Sequence, residues 1–161
     1  RDALAGWSPA ALVDSVKELR DWLWPRLAAA RHDLPAGWHW RSVCASGELL
    51  EGGAGVRFDL QAEGADSRRP ADSDPAFVVR HQGQPRAYRN RCAHVGVELD
   101  FPAGRFFDDS GLYLVCATHG ATYRPADGSC AGGPCRGRGL SPLRTRESNG
   151  KVWVAFEIPA Q

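Results

Sequence analysis

Two short stretches restrict this chain more than any others. NRCAHVGVELD sets Cys92 and His94 one residue apart with Gly96 following, and CATHGATYRPADGSC sets Cys116 and His119 two residues apart with Gly120 directly after. Each pairs a soft thiolate with an imidazole and then asks the backbone to turn sharply, which glycine allows because it adopts positive φ without a Cβ penalty. Each also follows a run with strand character, so both are expected on loop tips at the same end of a sheet. A fold that joins them makes a site of two sulfurs and two nitrogens.

The rest of the pattern says what kind of fold can do this. From Trp38 onward, short β-rich runs (GVRFDL, AFVVRHQ, PRAYRN, GLYLVC, KVWVAFEI) alternate with turn residues (QGQ, DDSG, PADG, SNG). Asn149-Gly150 is the strongest hairpin signal, since both central positions of that turn favour positive φ. The expected fold is mainly β, an antiparallel β sandwich or small barrel. Ahead of it, SPAALVDSVKELRDWLWPRLAAARH predicts a helix: Ser8 caps it, Pro9 suits its first turn, and Leu12, Val16, Leu19, Leu23 and Leu27 share one face. Pro25 should kink that helix. Its apolar face packs on the core or a symmetry mate, or else presents Trp22 and Trp24 to another partner. The expected division is a helical extension over 1–35 and a β domain over 36–161. The polar stretch 62–74 reads as a surface loop.

With 161 residues, 43% apolar, the chain can bury one ordinary core. A net charge of +1 argues against nucleic acid and acidic membrane surfaces as partners. No apolar run approaches the roughly 18 residues of a membrane span, and no secretion signal is evident, so a cytoplasmic protein is expected. The chain begins with Arg1, which leaves a trimmed start or leader open. Five cysteines is an odd number, and reduced thiols or metal ligands are expected over a disulfide framework. The arginines are clustered: ten lie between Arg80 and Arg146, against five acidic residues there.

Two thiolates and two imidazoles suit a tetrahedral zinc ion or a two-iron, two-sulfide cluster with both histidines on one iron. Ordinary zinc fingers take both cysteines from one turn and both histidines from one helix, whereas here each loop supplies one of each. Such loops can clamp two metal ions about 3 Å apart, and glycines beside the histidines let the backbone aim amide hydrogens at the sulfurs.

Cys92-x-His94-x-Gly96 and Cys116-x-x-His119-Gly120, followed by Tyr123, Gly128 and Gly133-Pro134, resemble the Rieske-type iron–sulfur domain from about Trp38 to Ile158. The resemblance implies one [2Fe-2S] cluster per chain, held by Cys92 and Cys116 on the buried iron and by His94 and His119 on the outer one. Gly96 and Gly120 shape the loops, Pro134 lies in the loop covering the third side, and Tyr123 donates to a ligand sulfur. It also implies where the chain departs. Val97 and Thr118 stand where respiratory members carry a loop-bridging disulfide, and Ala121 stands where high-potential members place a serine donor. Fewer donors to the sulfurs predict a potential toward the lower end of about −150 to +300 mV.

The function this implies is one-electron transfer between a reductase and an oxygenase or similar acceptor, with no catalytic residues and no enzyme activity of its own. His94 and His119 form the docking tip, and protonation of their outer nitrogens makes the potential fall as pH rises. Arg89, Arg91, Arg124, Arg136 and Arg138 either steer a redox partner with an acidic docking face or are a solvated surface. The alternative is a non-shuttling redox or structural subunit, held as a homo-oligomer or to another chain through residues 8–32. A terminal oxygenase would need a further domain with mononuclear iron, for which no chain follows Gln161. Cys130 and Cys135 read as inert thiols in preference to a mutual disulfide, and Cys44 as a core strand residue. His32, His39 and His81 are scattered. Phe106-Phe107 is expected at a hairpin with one ring exposed.

Overall fold

Residues 34–60 and 73–157 are described by a computed structural model. The chain divides into two units, Arg1–Ala36 and Gly37–Gln161, and every element below belongs to the second. The predicted helix, with Trp22, Trp24, His32 and the partner contact through 8–32, lies outside the described residues, as does most of the 62–74 stretch.

Among the described residues, ten strands form three antiparallel sheets. One orders β1 (Trp38–Ala45), β10 (Lys151–Glu157) and β9 (Thr145–Ser148). A four-stranded sheet orders β2 (Val56–Asp59), β3 (Pro75–His81), β4 (Gln84–Arg89) and β8 (Pro142–Leu143). The third orders β5 (Leu114–Val115), β6 (Thr122–Tyr123) and β7 (Cys130–Gly132). The predicted Asn149-Gly150 hairpin joins β9 to β10, both residues at positive φ.

Strand β3 explains the layering. Its AFVV run has no polar face, as expected of a strand covered on both sides, and Ala76 to Val79 are fully buried. Phe77 and Val79 join one core cluster with Cys92, Phe106, Leu114, Cys116 and Tyr123. Val78 joins another with Leu49, Val152 and Val154 of the opposite sheet. Each such side chain contributes roughly 1.5–3 kcal/mol on burial. On the outer sheet, Arg146 lays its guanidinium over Trp40 and Trp153, 4.5 and 5.3 Å from the ring centres.

Three expectations need correction. The two Cys-His loops do not leave one sheet: the first follows β4 and the second follows β5, because the GLYLVC run pairs only at Leu114–Val115 and starts a separate small sheet. Neither Phe106 nor Phe107 is exposed. Phe106 stacks on Phe77 with ring centres 3.8 Å apart, and Phe107 bridges to Leu114. Cys130 and Cys135 are joined by a disulfide with Cα atoms 5.8 Å apart, since the Gly-Gly-Pro turn between them folds the chain back on itself. Cys44 is a half-buried thiol on β1; burial first, then Glu48, pushes it up to about 11.

Candidate metal centre

The two loops close in the same way. The Gly96 amide donates to the Cys92 carbonyl and the Gly120 amide to the Cys116 carbonyl, both at 2.8 Å. The Cys92 amide donates to Val97 at 2.7 Å and the Cys116 amide to Ala121 at 2.8 Å. Gly96 and Gly120 sit at φ +73° and +68°, where a side chain would strain the turn. The loops are therefore equal in length from cysteine to glycine. Only the histidine differs, second after the cysteine in one and third in the other.

The first loop is anchored by a buried polar network. Asn90, fully buried at the end of β4, donates through Nδ2 to Asp100 at 2.8 Å and accepts at Oδ1 from the Leu99 amide at 2.9 Å. Asp100 also accepts from the Gly104 amide at 2.6 Å, and Arg57 lies 3.5 Å from the same carboxylate. The Ala117 amide of the second loop donates to the Leu99 carbonyl. One network thus carries both loops.

Cys92 and Cys116 are buried, at 2% and 0% exposure. Burial raises the Cys92 thiol, but the Tyr123 hydroxyl, the His94 amide, Cys116 and the Val95 amide together bring it below the ordinary thiol value. Cys116 moves the other way: burial raises it, and hydrogen bonds from the His119 and Thr118 amides offset this only in part. Tyr123 accepts the Ala93 amide at 3.1 Å, which leaves its proton for the Cys92 sulfur at 3.2 Å. Burial, followed by Cys92, raises its pKa and keeps that proton in place.

On the outer side, the rings of His94 and His119 meet edge to face with centres 5.0 Å apart. His94 is half-buried and its Nδ1 is buried with no hydrogen-bond partner, while His119 is exposed. A buried ring nitrogen without a partner is costly unless something accepts its lone pair, and a metal ion would. Sulfurs paired with each other and imidazoles paired with each other fit two metal ions, one for each pair. Among the described residues, no three of His, Cys, Asp or Glu gather closely enough to hold one ion together.

Gly133, Pro134 and Cys135 form a short 3-10 turn with Cys135 buried. A Cβ on Gly133 would stand 2.7 Å from the Gly120 carbonyl oxygen, so only a glycine lets this turn lie against the second loop. The arginines divide. Arg89 and Arg91 turn to Asp74, Arg124 reaches the Cys130 carbonyl at 3.4 Å, and Arg138 reaches the His94 carbonyl at 3.4 Å. Arg136 is exposed, and among the described residues the other histidines, His39 and His81, are on β1 and β3. Sequence reading missed Asn90 and Asp100; an asparagine at the end of a strand, two residues before a cysteine, is the signal that could have found the first.

A family model described as the Rieske [2Fe-2S] domain matches residues 39–149. No curated protein matches the chain. Among solved structures, it is similar to a chain of the complex of reduced oxygenase and oxidized ferredoxin in carbazole 1,9a-dioxygenase, with 24% identity and a TM-score of 0.54, covering 76% of this chain and 97% of that one. The ferredoxin of carbazole 1,9a-dioxygenase from Nocardioides aromaticivorans IC177 shares 21% identity at a TM-score of 0.54, over 71% of this chain and 95% of that one. The terminal oxygenase of carbazole 1,9a-dioxygenase from Novosphingobium sp. KA1 shares 24% identity at a TM-score of 0.54 over 76% of this chain, which spans 31% of that one. At these identities the likeness is one of fold.

Proposed function

Because the chain belongs to the Rieske [2Fe-2S] domain family, which binds one [2Fe-2S] cluster per domain, we propose that it is a one-electron carrier with Cys92 and Cys116 holding one iron and His94 and His119 the other. The observation that carries this reading is the pairing of sulfur with sulfur inside and imidazole with imidazole outside, on two loops of equal closure. When bound, the cluster takes up and returns a single electron.

The chain's own residues set the terms of that exchange. The Tyr123 hydroxyl and the loop amides direct hydrogen bonds at the sulfurs and favour the more negative state. Ala121 is buried and offers no hydroxyl, which keeps the potential in the lower part of the range about −150 to +300 mV. Burial of both sulfurs keeps water from them, and the exposed His119 edge is the short path for an electron to a partner. Arg138 sets a positive charge on the first loop, at the His94 carbonyl, suited to a redox protein with an acidic docking face. Among similar structures, one is a complex of an oxygenase with a ferredoxin; a reductase as donor and an oxygenase or similar acceptor are the partners proposed here. Among the described residues, no helix is long and apolar enough to cross a membrane. A cytoplasmic setting suits such a carrier and makes the Cys130–Cys135 disulfide an exception in its compartment.

The test is a count of iron and acid-labile sulfide with a visible spectrum. Two of each per chain, with colour, are expected. One zinc and no colour would end the proposal. Cys116→Ser and His119→Ala should each bleach the protein and loosen both loops, because ligand binding and loop order are coupled.

A further inference from the structure

The disulfide has no part in the electron path, yet it lies in a segment that touches both loops. Cys135 is fully buried in the core cluster that contains Cys92, Cys116, Ala121 and Tyr123, while Cys130 packs on its edge and is half-buried. Between them, Gly133 lies against the residue that follows His119: a Cβ there would stand 2.7 Å from the Gly120 oxygen and 3.1 Å from the Ala121 Cα. Just beyond, the Arg138 amide donates to the Cys135 carbonyl at 3.0 Å, and its guanidinium reaches the His94 carbonyl. Strand pairing adds little to this wall. Strand β7 pairs with β6 only at Thr122–Gly132 and Tyr123–Cys130, with an irregularity between the two pairs.

Resting on the reading that a cluster sits between the loops, we propose that Cys130–Cys135 is a second redox site, a substrate for dithiols, whose two-electron reduction opens the wall over the cluster. In a glutathione-buffered compartment, disulfides that persist in mesophiles are usually redox-active. Cys130, the less buried of the two residues, is the point of attack, and Arg124, on the Cys130 carbonyl, sets a positive charge near an incoming thiolate. That thiolate bonds to Cys130 Sγ, the Cys130–Cys135 bond breaks, and Cys135 leaves as a thiolate and takes a proton. The second thiol of the reductant then attacks the reductant's own sulfur and releases Cys130 as a thiol. In sum, the protein gains two electrons and two protons, and the dithiol becomes a disulfide. Once the bond is cut, the wall is held by the short β6–β7 pairing, and water or a chelator reaches the sulfurs.

The experiment takes the cluster-loaded full chain under anaerobic conditions, with and without dithiothreitol. Alkylation of the native protein, read as the mass of the peptide carrying Cys130 and Cys135, should add two alkyl groups only after dithiothreitol. In parallel, decay of the visible band in the presence of EDTA should become several-fold faster after reduction. The Cys130→Ser/Cys135→Ser and Cys130→Ala/Cys135→Ala variants should decay at the fast rate with or without dithiothreitol, which also accounts for chelation by the dithiol itself. No alkylation of the native protein, or alkylation with an unchanged decay rate, overturns the proposal on the wild-type chain alone. A chain that takes up no iron and sulfide overturns the cluster reading and the opening of its wall, while the alkylation result still decides whether the pair exchanges.

Discussion

The Ala117 amide donates to the Leu99 carbonyl at 2.8 Å, so the second loop hangs from the end of the first. What fixes Leu99 is Asn90, whose Oδ1 accepts the Leu99 amide inside the core. Asn90→Ala leaves that buried amide without an acceptor and removes one donor from Asp100, at a cost of roughly 1–3 kcal/mol. The urea midpoint of the loaded protein should fall, with faster cluster loss. An unchanged midpoint would mean that the network does not carry the loops.

Tyr123→Phe keeps the packing and removes the one hydroxyl aimed at the Cys92 sulfur. A hydrogen bond to sulfur stabilises the reduced state more than the oxidised one, so the potential should drop. A bond of about 1 kcal/mol corresponds to about 40 mV for one electron. A redox titration followed by circular dichroism measures this, and an equal potential in the two proteins would contradict the assigned donor.

Two glycine substitutions separate strain from collision. Gly96→Ala meets nothing within 4 Å but forces φ +73° on an alanine, which costs about 1–2 kcal/mol. Gly133→Ala adds a collision with the Gly120 backbone at 2.7 Å. The first should lower the melting temperature and keep the cluster; the second should shed the cluster in the same EDTA assay.

Acid should weaken the fold through Glu147. Arg80 holds this carboxylate with two hydrogen bonds of 2.9 and 3.0 Å and lowers its pKa from 4.5 to about 2. A depressed folded-state value means that the stabilisation is complete above the unfolded value, near 4.5, and is lost as pH falls toward about 2. Glu147→Gln should therefore cost up to about 1 kcal/mol at neutral pH, a cost that fades as pH falls through about 2. Denaturation curves at pH 7 and pH 3 should show the gap between the two proteins narrowing.

The Cys-His loops were legible in the sequence because their chemistry is local: a cysteine, a histidine and a glycine at positive φ within five residues announce themselves whatever surrounds them. The antiparallel β character and the Asn149-Gly150 turn were legible for the same reason. Which sheet each loop leaves was not, because β5 and β6 are two-residue strands whose pairing depends on tertiary neighbours such as Phe106 and Leu99. The disulfide was hidden by a composition argument about the whole chain, although the Gly-Gly-Pro turn between Cys130 and Cys135 already allowed the two side chains to meet. The buried role of Asn90 and Asp100 escaped notice because polar residues in a loop ordinarily face water.

Strand β3 is covered on both sides, with Phe77 and Val79 under the loops and Val78 under the opposite sheet. Disorder released at the tip when the inorganic group departs meets a strand bonded along both edges and clamped from behind, and there it stops. Loss of the inorganic group should therefore loosen the two loops and leave the sheet beneath them standing.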